Sequence, residues 1–376
     1  MKVLIIPSWY TTEDNPLAGV FFKEYAESLV RYGHDVAVMY VDIRRKQKRE
    51  ARGISVELVN GVKEFRYNGT NYTPGFARGV NWQKCFHAKK IMKTVEDQFG
   101  IPDAIHLESC DAVHIAKRAA DKWGIPFVYT EHLSNLVAGD PSRYYSRLFR
   151  KALSFSGACV AISKLFLDKM NQFPEAQTCY IPNGIDVDRL PLSKTDKVFK
   201  VKALGAMRSI KGYDILIRAF SLFARGKSDV QLVLGGDGAE RESLEMLADS
   251  LSCSKKIIFA GSIQREKVPH FYEDCAVFVC SSLTETFSIV TAEALCSGVP
   301  VVATKCGGPE DMIDKTNGLL VDVGNPEQMA AALNVLYHNL DSYDRCHIRE
   351  NAQNCFSYKK IVNQYEVLYQ RLKHGY

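Results

Sequence analysis

The residues best suited to chemistry lie in "SSLTETFSIVTAEALCSGVPVVAT", residues 281 to 304. Glu285 and Glu293 stand eight positions apart, and Glu293 is set among Ile289, Val290, Ala292, Ala294 and Leu295. Burying an unpaired polar group costs about 2–7 kcal/mol and a charge more, so a carboxylate in that company needs a partner. The run before Glu285 reads as a strand and the run after it as a helix closed by Gly298. One carboxylate in the loop and one in the helix can reach two parts of a single elongated ligand. The helix N-terminus between them offers free amides and partial positive charge, which suits phosphate.

Those residues need a frame, and the chain writes strands and helices in alternation from end to end. "KVLIIPS" precedes the amphipathic "GVFFKEYAESLVRYG", and "DVAVMYV" follows; "AIHLES", "DAVHIAKRAADKWG", "PFVYTEH", "CVAISK" and "TCYIPNG" continue the series. The pattern restarts at "FKVKALGAM" and runs through "VQLVLGGD", "KIIFAGS", "AVFVCSS", "PVVATK" and "NGLLVDV". Short β-branched runs separated by helices of about 10–15 residues predict parallel βαβ units. The polar "DVDRLPLSKTDKV" near residues 186–198 separates two such series. The expectation is an α/β chain of two Rossmann-like, doubly wound domains, residues 1–190 and 191–355. Each presents the carboxyl ends of its strands to ligand, and the default site is a cleft between the two faces.

Composition narrows the classes. The 376 residues are 46% hydrophobic and 24% charged, ordinary for globular domains. No apolar run approaches the roughly 20 residues of a membrane-spanning helix, and "MKVLIIPSWY" reads as a first strand rather than a signal peptide. Eleven cysteines are scattered singly, without CxxC or a His/Cys cluster, which predicts reduced thiols and a cytoplasmic protein. Neither "PSWYTTEDNPLAG" nor "LGGDGAE" is a GxGxxG loop, so a nicotinamide cofactor lacks its phosphate site. The net charge is +5, and residues 1–193 hold 26 Lys/Arg against 21 Asp/Glu while residues 194–376 hold 22 of each. The surplus gathers in "RRKQKREAR", Arg44 to Arg52, either a solvated loop or a peripheral contact with anionic membrane at its inner face. That run has no interleaved aromatics, so nucleic acid is not an expected partner.

Taken in order, several segments resemble one family. "ETFSIVTAEALCSGVPVVAT" followed by "CGGPEDMI" is similar to the E-x7-E signature of the retaining GT-B glycosyltransferases, family 4. "NPLAGVFFKEYAESLVRYGHDVAV" resembles the family's glycine loop and first helix, "GIPFVYTEH" its histidine segment, and "YIPNGIDVDR" its interdomain junction. "LGAMRSIKGYDILIRAF" resembles its basic phosphate-binding turn. "FSYKKIVNQYEVLYQRLK", within residues 356–376, resembles the terminal helix that returns to the first domain.

The resemblance implies a nucleoside-diphosphate sugar (UDP- or GDP-linked) as donor, a glycan or lipid-linked saccharide of a surface polysaccharide as acceptor, and no further cofactor. Breaking the anomeric C–O bond puts negative charge on the leaving diphosphate. Lys211, after the strand "VKALGAM", is the cation to stabilise it, and Arg208 shares the task, because the arginine usual in the family is replaced by Ala206. Glu285 would face the donor sugar's hydroxyls and Glu293 the ribose. Thr286, Phe287, Ser288 and Ile289 complete the donor loop; Ser288 stands where a glycine is common. Gly19 lets backbone approach the diphosphate or acceptor, and His132 touches the transferred sugar. "DVD", Asp186 to Asp188, resembles a metal motif of another fold, but cations and a helix N-terminus already answer the diphosphate here, so no metal is expected. Two other functions share this architecture, a nucleotide-sugar epimerase and a catalytically silent nucleotide-sugar-binding scaffold.

Overall fold

Apolar runs bounded by Gly, Pro, Asn and Asp become strands in the computed structural model, which describes residues 1–12, 14–44, 52–73, 75–137, 142–194 and 196–375. The chain divides into one unit of Met1–Pro182 with Ile361–Tyr376 and a second of Asn183–Lys360. In the first, the strands are β1 Lys2–Pro7, β2 Asp35–Arg44, β3 Gly53–Val59, β4 Val62–Thr70, β5 Ala104–Glu108, β6 Phe127–Glu131, β7 Ala158–Ala161 and β8 Thr178–Tyr180. They lie in the order β3-β4-β2-β1-β5-β6-β7-β8. Every pairing is parallel except that of β3 with β4. Strands β5, β6 and β7 are buried along their whole length. Helices cover both faces of such a sheet, so its strands read as continuous apolar runs rather than alternating ones.

Besides the helices Ala77–Gln98 and Arg143–Phe155, the alternation expected from the apolar runs omits the β3–β4 hairpin of this unit. Its signal is nevertheless present. Asn60 and Gly61 form a two-residue turn with φ of 50° and 84°, and positive φ at both central positions is the type I′ geometry that matches strand twist. The basic run from Arg44 to Arg52 lies between β2 and β3, and its residues 45–51 fall outside those described. Arg44 itself pairs with Asp42 at 2.6 Å and with Asp14.

The second unit holds β9 Phe199–Leu204, β10 Val230–Gly235, β11 Ile257–Gly261, β12 Val277–Cys280, β13 Val301–Thr304 and β14 Gly318–Val321. Its sheet is wholly parallel, in the order β11-β10-β9-β12-β13-β14. Counted within the unit, that is the 3-2-1-4-5-6 order of a doubly wound fold. The chain runs outward from β9 in one direction, then returns to begin again at β12. Between those two strands successive loops leave on opposite faces, and a crevice opens at their carboxyl ends. Lys211 follows the first of the pair and Glu285 the second.

Candidate active site

Lys211 and Glu285 meet across that switch point. Lys211 Nζ donates to Glu285 Oε1 at 2.5 Å, and Ser282 Oγ donates to the same oxygen at 2.8 Å. Burial by itself would lower the lysine's pKa, but the Glu285 carboxylate more than offsets this and holds the ammonium above its ordinary value. The backbone is stitched to match. Leu283 N–H donates to Ile210 O at 2.8 Å and Ser281 Oγ to Lys211 O at 2.8 Å. Gly212 has φ of 61°, and a Cβ there would come within 2.2 Å of Ser281 O, so only glycine lets the two loops close this far.

A third loop, after β13, fixes Glu285 from the other side. Glu285 N–H donates to Cys306 O at 2.8 Å and Gly308 N–H to Glu285 O at 2.9 Å. Phe287 is buried with its ring against Phe356, 5.8 Å between centroids. Of the donor-loop residues, then, Phe287 turns its side chain into the core. Ser288 takes φ of 79°, the left-handed region that glycine adopts at lower cost. Its hydroxyl hydrogen-bonds Thr291 Oγ1 at 2.8 Å, and the helix Ile289–Cys296 begins with no side chain capping it among the described residues. Arg208 is exposed, and its guanidinium has no partner among the described residues. Ala206 beside it is exposed too.

The partner that Glu293 requires is Arg265. Its Nη1 lies 2.5 Å from Glu293 Oε1, while Tyr272 OH donates to Oε2 at 3.0 Å. The carboxylate is 1% exposed, one helical turn inside the helix that begins at Ile289. Tyr272 also donates to Val290 O at 3.2 Å, which seats its ring under the helix.

In the first unit, Gly19 precedes the helix Val20–Arg31 with φ of 67°, and a Cβ there would lie 2.9 Å from Trp9 O. Phe21 and Phe22, at the start of that helix, pack on the His132 ring at centroid distances of 5.0 and 5.1 Å. The structure therefore brings Gly19's helix and His132 together. His132 Nε2 lies 2.8 Å from Glu108 Oε2. Behind it, His106 bonds Tyr369 OH and Thr130 Oγ1, each at 2.7 Å, and Tyr365 OH meets Thr130 Oγ1 at 3.0 Å. Tyr365 and Tyr369 belong to the terminal helix Tyr358–His374, so that helix braces the strands carrying the histidine.

The loop bearing His132 is organised by Glu131, fully buried at the end of β6. Its Oε1 accepts from His132 N–H at 2.7 Å, from Leu133 N–H at 3.0 Å and from Ser109 Oγ. Its Oε2 accepts from Tyr129 OH at 2.5 Å and Cys110 N–H at 3.0 Å. The candidate residues read from the sequence include neither Glu131 nor Glu108, Arg265 and Tyr272. A polar residue closing an otherwise apolar strand was the available signal for the two glutamates; Arg265 sits in the charged "QREK", where nothing marks it.

Burial holds His106 below the ordinary histidine range, and likewise His34 and His87. Burial would raise Glu108, but the His106 and His132 imidazoles more than offset it, so that carboxyl titrates below its usual range. Each of these groups takes a proton more readily unfolded than folded, so stability falls as pH falls. The loss begins below about pH 6.5 with the histidines and continues through the carboxylate range near 4.3. Thermal melts in a pH series should show Tm falling before the carboxylates titrate. A constant Tm from about pH 7 to 5 would contradict the buried, neutral histidines.

Comparison with known proteins bears on both units. The family model described as Glycosyltransferase Family 4 matches residues 18–189, and that described as Glycosyl transferases group 1 matches residues 186–354. The D-inositol 3-phosphate glycosyltransferase of Corynebacterium jeikeium is 26% identical, over 99% of this chain and 97% of its own length. Among solved structures, sucrose-phosphate synthase from Thermosynechococcus elongatus superposes with a TM-score of 0.81 at 18% identity, covering all of both chains. HepE of Anabaena, solved in complex with UDP-glucose, gives 0.73 at 19% identity, over 98% of this chain and 99% of that one.

Proposed function

The chain belongs to the family 4 glycosyltransferases of GT-B fold, and from that premise we propose that it moves a sugar from a nucleoside diphosphate to a glycan or lipid-linked saccharide with retention of anomeric configuration. The observation that carries this reading is the Lys211–Glu285 pair at the switch point of the second sheet. A doubly wound sheet binds its ligand there, and the pair offers one cation for phosphate and one carboxylate for hydroxyls. The UDP-glucose in the HepE complex is a ligand of this chemistry on the same fold. The Corynebacterium relative, by its name, glycosylates a phosphorylated polyol.

In this reading the anomeric C–O bond breaks with its electrons passing to the diphosphate. Lys211 and Arg208 stabilise that charge, and the amides at Ser288 and Ile289 with Thr286 help to hold the phosphates. Glu285 orients the sugar and Glu293 the ribose. The acceptor oxygen bonds to the anomeric carbon from the same face, its proton passing to the departing phosphate oxygen. Gly19 and His132 serve from the first unit, His132 held by Glu108. Turnover needs no metal, because cations and helix amides do that work. The protein acts in the cytoplasm in this account.

A thermal-shift screen with UDP, GDP and their sugars, with and without EDTA, tests the reading. Ligand at 100 times its Kd should stabilise by about 2.7 kcal/mol. A shift with one base, insensitive to EDTA and lost in Lys211→Ala and Glu293→Ala, supports the donor site. NMR of the product anomer then tests retention. Donor converted without acceptor would favour an epimerase, and no shift with any nucleotide would leave a silent scaffold.

A further inference from the structure

Two buried thiols lie beside the Lys211–Glu285 pair and have no role in the proposed transfer. Cys280 ends β12, opposite Ala303 of β13. Just past β13, Cys306 N–H donates to Thr304 O at 2.8 Å, a tight turn that folds the chain back towards the end of β12. There the Cys306 thiol hydrogen-bonds the Cys280 sulfur. Cys280 Sγ also lies 3.7 Å from Ser282 Oγ and 3.7 Å from Ser288 Oγ, and the Ser282 N–H donates to it. Neighbouring strands run about 4.7–4.9 Å apart, within the Cα separations of about 4.4–6.8 Å that a disulfide spans. Both cysteines are free thiols.

Their surroundings divide the labour between them. Burial pushes the thiols of Cys110, Cys159, Cys275 and Cys296 up, which leaves them unreactive. Cys280 moves the other way. The hydrogen bond from Cys306, then the Lys211 ammonium and the Ser282 amide, outweigh burial and the Glu285 charge, so its thiol is drawn below the ordinary cysteine range. Cys306 gives the hydrogen bond and is driven up by it and by burial. One sulfur is therefore poised as thiolate while its neighbour keeps the proton, as in an attacking and a resolving cysteine. The two residues are 5% and 6% exposed, so the approach is narrow and suits a small oxidant.

We propose that Cys280 and Cys306 are a peroxide-sensitive dithiol, and that its disulfide displaces Glu285 and disarms the site that Lys211 and Glu285 form. First the Cys280 thiolate attacks one peroxide oxygen and the O–O bond breaks. Hydroxide departs, takes a proton from solvent and becomes water, leaving Cys280 as a sulfenic acid. The Cys306 sulfur then attacks the Cys280 sulfur, the S–O bond breaks, and the leaving hydroxide takes the Cys306 proton as a second water. The dithiol has lost two electrons and the peroxide has gained them; a small dithiol reverses the change by exchange. The backbone carries the effect to the site. Glu285 N–H is bonded to Cys306 O, Thr304 Oγ1 donates to Cys280 O at 3.3 Å and Ser282 O at 2.5 Å, and Ser282 Oγ holds Glu285. A covalent S–S bond is shorter than the hydrogen bond it replaces, so closing it pulls on both loops. The effect on nucleotide binding rests on the donor reading; the disulfide itself does not.

The test treats the reduced protein with hydrogen peroxide, alkylates the remaining thiols and maps the peptides by mass spectrometry. A link between the Cys280 and Cys306 peptides, reversed by dithiothreitol, is expected. Cys306→Ser should instead stop at a sulfenic acid on Cys280 that dimedone traps, and its melt when reduced should match the parent's. The thermal shift that UDP, GDP or their sugars give the reduced protein should shrink on oxidation, as binding weakens about tenfold or more with the loss of a hydrogen bond to a charged group, and should return with dithiothreitol. Oxidation confined to the exposed Cys346 and Cys355, or a link that leaves the nucleotide response unchanged, overturns the proposal. A nucleotide response missing from the reduced protein as well would count against the donor reading, and the peptide map would then decide the dithiol alone.

Discussion

Replacing Lys211 by alanine is expected to slow turnover by about 10²–10³-fold, the usual cost of removing one preorganised donor aimed at developing charge. The loss should appear in kcat more than in KM, because charge on the diphosphate grows as the anomeric bond breaks. A rival explanation is that Lys211 merely neutralises Glu285, its partner at 2.5 Å. The double variant Lys211→Met with Glu285→Gln separates the two. If neutralisation were the whole role, the double variant would recover most of the single variant's loss. If Lys211 acts on the leaving group, the double remains at least as slow. Turnover of Lys211→Ala within a few-fold of the parent would remove the lysine from the mechanism.

The second large effect is on stability. Glu131→Ala deletes an acceptor that serves three backbone amides and two hydroxyls in a fully buried site. Each orphaned buried donor costs about 1–3 kcal/mol, with some relief from water entering the space left behind. The sum is about 3–5 kcal/mol, at the upper end for single substitutions. For a unit of this size each kcal/mol lowers Tm by about 2–4 °C, so the first unit's transition should fall by about 10 °C or more. Glu96→Ala provides the contrast. Its ion pair with Lys122 lies at the surface, with side chains 38% and 36% exposed, and such pairs contribute about 0–1 kcal/mol. A Glu131→Ala melt indistinguishable from that control would show that the loop around His132 stands without its clamp.

Much of the architecture was legible because it is written in local periodicity. β-branched runs of four to ten residues, separated by amphipathic helices, can bury both faces only in parallel sheets. Strands such as "AVFVC" and "PVVAT" therefore announce themselves. The β3–β4 hairpin was equally local, through Asn60-Gly61, and escaped a reading tuned to βαβ alternation. Glu293 was visible because a charged residue in apolar surroundings violates the local rule, and such violations gather at functional sites; Glu285 was visible through its place eight positions earlier, in the loop before the helix. Arg265 violates nothing, being one charge among several in a polar run, so its contact with Glu293 could not be seen.

The amino-acid sequence by itself determined the elements, the doubling of the α/β pattern and the residue types available to an anionic, hydroxylated ligand. Tertiary structure alone decided which of those residues meet. Lys211 and Glu285 are 74 positions apart, and they touch because β9 and β12 lie side by side. Strand order is a non-local choice: it depends on which apolar faces pack together across the whole unit, and no window of sequence contains that information. The same holds for Glu131, whose five donors come from β6, the loop that follows it and the segment after β5. A buried carboxylate can be read from sequence as a demand for partners, but only the folded packing supplies them.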